Sequence, residues 1–409
     1  MRPAPTQVDP MMSSCANAAP EQACHTDTLT RRALVGGGFA AALWPFAGKA
    51  DDALEAVKLA TGALGYGGAS PGAVLRGQIG QPLRLTLANA LETPTSFALL
   101  GLRVDHDPGF PALSASPIAP GERRALAFTP AEPGFALYGA YGSGADGLFG
   151  AILVPETAPA AVDLEAVVVF SGDPAAPRAN GAAPPLTIAA PPGGRVRLRL
   201  ANAAPEGLLS LSTAAKVQVV AIDGQPCEMF TPREGNLPIC PTGRFDLLFD
   251  LGEADVEFTL GGGPALRIVA KGERAAARPA ISALPANPRL ATAIALERTL
   301  RATFHLRERD AHALWPKKPL FQARRGQPVA LTLINDTREP QTLRLEGHVA
   351  RVLHRLDDGW DPYWRDALYI KPGRTQQVAF VADNPGKWPL ASASFARRAQ
   401  GMATWFQVA

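Results

Sequence analysis

The sequence predicts an all-β protein built from three consecutive β-sandwich domains, and three observations carry that prediction. The chain of 409 residues holds 39 Gly and 39 Pro with only 7% aromatic residues, a composition that favours short elements joined by tight turns over long helices. One strand pattern occurs three times. A second turn-and-strand pattern follows each copy, so that each unit has about the size of a sandwich domain.

The first pattern is GQPLRLTLAN at 80–89, GGRVRLRLAN at 193–202 and GQPVALTLIN at 326–335. Apolar residues at every second position place one face on a core while Arg or Thr points outward, as a half-buried strand requires. The leading glycine and closing asparagine suit turns. The second pattern is Pro120-Gly121-Glu122-Arg123, Thr242-Gly243-Arg244-Phe245 and Pro372-Gly373-Arg374-Thr375. Each leads into another alternating strand. Pro133-Gly134 and Pro385-Gly386 then introduce a further strand in the first and third copies. The predicted domains are 51–157, 158–285 and 286–409, with the Ala/Pro-rich stretch 274–289 joining the last two.

Residues 1–50 are set apart from the fold. Thr30-Arg31-Arg32-Ala33-Leu34-Val35 precedes a weakly apolar run from Gly36 to Phe46 and then Ala47-Gly48-Lys49-Ala50. This reads as a twin-arginine export signal, centred on Arg31 and Arg32 and cleaved near Ala50. A membrane anchor is the alternative, but the run falls short of the ~20 apolar residues a spanning helix needs. The expected product is periplasmic, meets the twin-arginine translocase during export, and has no membrane span after cleavage.

Cys15 and Cys24 precede the arginine pair, which leaves Cys227 and Cys240. In an oxidising compartment these two are a disulfide candidate worth about 3 kcal/mol, the alternative being two buried thiols. The formal charge of +3 and the absence of a basic run argue against nucleic acid as a partner. No phosphate loop or His-Glu-x-x-His motif occurs, which excludes the common nucleotide and zinc-protease readings.

Several landmarks in order resemble the multicopper oxidases, a family of three cupredoxin-like domains. They include Ser70-Pro71-Gly72, Gly147-Leu148-Phe149-Gly150, Asn180-Gly181, Ile222-Asp223-Gly224-Gln225-Pro226, Gly347-His348, Ala382-Asp383-Asn384-Pro385-Gly386-Lys387-Trp388 and Gly401-Met402. The resemblance implies four histidine motifs for copper, and each departs from the pattern here. Ala98 and Leu100 stand where the first motif has histidines; Gly139 and Tyr141 stand in the second. Gln341, Arg344 and Glu346 stand in the third, and Ala391, Ser392, Ala393 and Arg397 in the fourth, with only the weak axial position kept as Met402. The resembling enzymes hold a trinuclear cluster with eight histidines, whereas past residue 50 this chain has only His106, His305, His312, His348 and His354. Ser392 also replaces the thiolate that a blue-copper centre uses as its electron conduit.

The expectation is therefore a chain with no catalytic residues and no cofactor, resembling the copper-free branch of the family typified by the bacterial division protein FtsP (SufI). That branch implies a non-enzymatic scaffold or protective interaction protein of the cell envelope, with cell division as the process it suggests and a protein partner. A laccase-like oxidase with an altered or residual copper site is the competing reading. The small residues predict that the metal pocket has become interdomain packing. Arg344 or Arg397 is expected to pair with Glu346 there. His348 and His354 read as one turn histidine and one surface histidine, and His106 between two aspartates as a loop residue. Trp360, Tyr363, Trp364 and Arg365 form the candidate contact patch, since aromatic residues with Arg favour binding hot spots.

Overall fold

The structure is a computed structural model that describes residues 53–409 except 105–112, 114, 115, 141–146, 175, 309–313 and 354–358. The export signal and Tyr141, His106, His312 and His354 lie outside the described residues.

Each repeated strand sits inside a sheet, between a parallel neighbour that precedes it in the chain and an antiparallel one that follows. Leu83–Asn89 lies between Ala53–Lys58 and Arg123–Phe128. Arg195–Asn202 lies between Leu164–Ser171 and Arg244–Asp250. Gln327–Asn335 lies between Leu300–Leu306 and Thr375–Ala382. A second sheet faces each of these. The first unit has two four-stranded sheets, the second a six- and a five-stranded sheet, and the third a four- and a five-stranded sheet. Aromatic rings join facing sheets: Phe97 stacks on Phe128 with centroids 6.3 Å apart, and Phe380 meets Phe406 at 5.7 Å. One α-helix, Phe395–Ala399, interrupts the third unit. No helix among the described residues is long and apolar enough to cross a membrane.

The asparagine that closes each repeat does the same job three times. Asn89, Asn202 and Asn335 are buried. Their side-chain oxygens accept the N–H of Leu91, Ala204 and Thr337, each two residues on, at 3.0 Å. Their amides donate to Thr93 and Ile118, to Gly207 and Ile239, and to Glu339 and Ile370. An Asx turn and a tie across the fold thus share one side chain, which satisfies backbone carbonyls that water cannot reach.

The middle repeat departs from the expected alternation, because every residue of Arg195–Asn202 is buried. The outer face of that sheet is covered by the chain segments that enter and leave the second unit. Arg195 donates to both oxygens of Asp250, at 2.7 and 3.0 Å, and to the Pro279 carbonyl at 2.6 Å. Arg197 grips Glu156 at 2.6 and 3.0 Å and shares Asp246 with Arg199, at 2.8 and 2.5 Å. Arg199 also holds Glu165 at 2.8 Å. Leu284 packs with Val220, Ala221 and Leu248 beside this ladder. Elsewhere along the strand Ala201, with Val167 and Val169, packs on Phe135, Leu137 and Phe149 of the first unit.

Asp246→Ala strips a shared carboxylate from two buried guanidiniums, so it is expected to destabilise by about 3–5 kcal/mol, read as an earlier urea unfolding midpoint; an unchanged midpoint contradicts the ladder's role.

Candidate functional site at the three-domain junction

The positions aligned with the copper motifs are brought together by two sheets. In the first unit Ala98 lies opposite Gly139 and Leu100 opposite Leu137. In the third, Leu343 lies opposite Ser392 and Arg344 opposite Ala391. Ala98, Ala391, Ser392 and Met402 are buried in packed structure. Leu100, Gly139 and Ala393 instead border a cavity of about 510 Å³, which Ser171 and Thr242 of the second unit and Arg398 of the third also line. The expected interdomain packing is therefore incomplete: the small residues Gly139, Ala140 and Ala393 leave space that the neighbouring Phe149 and Phe395 do not fill.

Thr242 joins the cavity to a buried ionic cluster. Arg344, fully buried, donates to Glu346 at 3.1 and 3.2 Å, to Asp366 at 2.7 Å and to the Thr242 hydroxyl at 3.3 Å. Arg244 of the second unit, equally buried, donates to the other Asp366 oxygen at 2.5 Å. It also donates to the carbonyls of Asp223 and Thr242, at 2.9 and 2.7 Å, and to that of Phe135 in the first unit at 2.9 Å. Asp223 accepts the backbone N–H of Arg244 at 3.0 Å and those of Asp366 and Ala367 at 3.2 and 3.1 Å. Burial and the nearby Asp366 carboxylate push its own carboxyl above the usual range. Two guanidiniums and three carboxyl groups thus occupy one dry site fed by all three units. Gly101 has φ +85°, and a β-carbon there would collide with the Arg244 guanidinium and Asp366. Only glycine fits both the backbone and the space.

A second network runs alongside. Glu132 accepts from Gln225 at 2.8 Å and from Asn287 at 2.6 Å, and Arg103 lies 3.5 Å from Glu132 while donating to Asp383 at 2.7 Å. His348 is buried beside it among Phe380, Trp388 and Phe406. Its Nε2 accepts the Asn384 N–H at 3.3 Å. Burial, with the Arg103 charge adding to it, holds the imidazole pKa down at about 3. Gly347, at φ +70°, precedes it because a β-carbon would enter the Trp388 ring.

Other expected features fall elsewhere. Arg397 leaves Glu346 to Arg344 and pairs with Glu206 at 3.2 Å and Glu308 at 2.8 Å, since the short helix aims it outward and its neighbour Arg398 inward. Arg398 donates to the Ser392 and Ala393 carbonyls. Gln341 is buried and reaches Thr337 at 3.2 Å. His305 is exposed and pairs with Asp336 at 2.8 Å. The disulfide candidate is corrected: Cys227 and Cys240 are free thiols. Cys227 lies on Gln225–Phe230 of the six-stranded sheet, and Cys240 just follows Asn236–Ile239 of the five-stranded one. Burial pushes both thiols up to about 12. The aromatic patch is divided. Trp364 is 7% exposed with Arg351 stacked 4.8 Å from its centre, Tyr363 packs on Phe230 at 5.2 Å with Arg365 over it, and Trp360 alone borders open space.

Two family models described as multicopper oxidase match the chain, over residues 52–159 and 285–409, together more than half of it. The chain belongs to the multicopper oxidase family. Similar solved structures include a multi-copper oxidase from Pseudomonas thermotolerans, 26% identical, covering 88% of this chain and 99% of that one with a TM-score of 0.77. Lac15 from a marine microbial metagenome is 25% identical over 88% and 99% of the two chains, with a TM-score of 0.73. A multi-copper oxidase from Pseudomonas parafulva is 22% identical over 88% and 100%, also with a TM-score of 0.73. No curated protein matches the sequence. The units are thus the cupredoxin-like domains of this family.

The residues at this family's metal positions do not fit copper. Arg344 offers no lone pair and places a fixed positive charge where a cation would sit. Ala98, Leu100, Gly139, Ala391 and Ala393 carry no side-chain donor. Among the described residues no group of three or more His, Cys, Asp and Glu side chains is arranged to hold a metal ion.

Arg344→Met is expected to cost about 3–5 kcal/mol, because Glu346 and Asp366 stay buried with one guanidinium fewer, and adding Glu346→Leu is expected to recover part of that loss in urea unfolding. His348 gives a separate pH signature. Its folded pKa lies below the unfolded value of 6.5, so the unfolded chain takes up the proton first as pH falls. The histidine term in stability is intact above pH 6.5 and erodes at up to about 1.4 kcal/mol per pH unit down to pH 3. Denaturant titrations of wild type and His348→Gln between pH 4 and 7.5 check this, the variant being expected to show a shallower acid slope.

Proposed function

We propose that the chain is an exported, non-enzymatic interaction or scaffold protein of the cell envelope, standing with the copper-free branch of its family. One observation carries the reading: at the junction where relatives in the family would bring ligand imidazoles together, a buried Arg344 is held by Glu346 and Asp366 and linked through Asp366 to Arg244. Such a cluster needs no metal to be satisfied and works against one. Its chemistry is adhesive, since it bonds side chains of the second and third domains to each other and to a backbone carbonyl of the first, leaving the outer surfaces for partners. The arginine pair Arg31-Arg32 and the run that follows support periplasmic delivery by the twin-arginine route. Division is the specific process that the resemblance adds.

The test is copper content by elemental mass spectrometry after incubation of the purified protein with excess copper and dialysis, with a phenol-oxidase assay on the same sample. The expected result is substoichiometric copper and no turnover. One copper or more per chain with oxygen-dependent turnover would overturn the proposal in favour of a laccase-like oxidase.

A further inference from the structure

The third domain carries a groove of about 470 Å³ that shares no residue with the junction cavity. Its floor is the outer face of the four-stranded sheet. Thr303 lies opposite Thr332, and Thr332 opposite Gln377, so one cross-strand row presents two hydroxyls and an amide. Strand alternation sends the neighbours Phe304, Leu331, Leu333 and Val378 into the core and this row outward. Among the described residues Arg301 is the one charged side chain in the lining. Two apolar groups complete it. Trp360 is pinned by its backbone bridge to Leu353 and by the Asp361 N–H to Val352 bond of 2.7 Å. Leu296, on the short turn before the sheet, is 38% exposed, which is high for a large apolar side chain in this fold.

This mixture selects among ligand chemistries. A lipid chain needs a continuous apolar floor, and the Thr303–Thr332–Gln377 row interrupts this one. An acidic peptide needs several cations, and the described lining holds one. A sugar ring has an apolar C–H face and a rim of hydroxyls that both donate and accept. An indole and a leucine suit the first, while Thr and Gln, which also donate and accept, suit the second. Fixing the backbone that carries the indole before binding lowers the ordering cost. We propose that this groove binds an uncharged oligosaccharide, with Trp360 against a ring face and the Thr303–Thr332–Gln377 row hydrogen-bonded to hydroxyls. The site goes beyond the scaffold reading and stands whether or not the junction binds copper.

Isothermal titration calorimetry of the full chain with cellotriose and tri-N-acetylchitotriose tests it, with a glutamate-rich peptide and decanoate as competing chemistries. Binding of at least one trisaccharide is expected, weakened about tenfold or more by Trp360→Ala and also weakened by Thr332→Val combined with Gln377→Ala. The double variant keeps the test open if the tryptophan change disturbs folding, and urea midpoints report that. No heat with either sugar up to about 10 mM, binding that survives in both variants, or binding of the peptide or decanoate alone would overturn the proposal.

Discussion

The shared grip of Arg344 and Arg244 on Asp366 is the contact on which the arrangement of the three domains depends. Each oxygen of that carboxylate takes one guanidinium, from different domains, and the remaining arms of Arg244 reach carbonyls of the first and second. A buried charge is costly alone and tolerable only when its partners are complete, so the second and third domains cannot shift against each other without stranding a charge, and a shift of the first would leave an Arg244 N–H without its Phe135 carbonyl. Gly101 and Asp223 follow from that demand, one by yielding space and the other by holding the backbone of Asp366 in place. The apolar surfaces supply the larger area, but area is indifferent to small rotations; ion geometry is not.

Much of the architecture was legible in the sequence because it rests on local rules. The three repeats reported their strands through alternation, and the glycine and asparagine at their ends marked turns that the structure contains. Less visible was the reach of the asparagine across the fold, since Ile118, Ile239 and Ile370 lie far along the chain. The middle repeat misled for the same reason: Arg195, Arg197 and Arg199 have the spacing of a solvent-facing row, and only the path of the connecting segments reveals that it is covered.

At the junction, the replaced copper positions were readable one by one, and Arg344 with Glu346 stood out as charges two apart on an inward strand. Asp223, Arg244 and Asp366 were missed as partners. Each belonged to a segment already noticed for another reason, a family landmark, a turn and an aromatic cluster respectively. An arginine at the start of a strand whose apolar residues face a core was the available signal for Arg244. The cysteine pair failed differently: a short sequence gap permits a bridge, but the intervening turn carries the two residues to opposite sheets. In the aromatic cluster, packing on Arg351 and Phe230 engages two of the rings, a pairing that the sequence did not reveal.

The connection between the second and third domains has the composition of a loose tether, rich in alanine and proline. In the fold, its Pro279 carbonyl is held by Arg195, Leu284 is inserted beside the second domain's sheet, and Asn287 is bonded to Glu132 and Gln225. A protease needs several residues of free, extended backbone to cut. Most residues of this segment are exposed, yet these anchors hold it at several points, so the two ends of a cut connection stay bonded to the domains on either side.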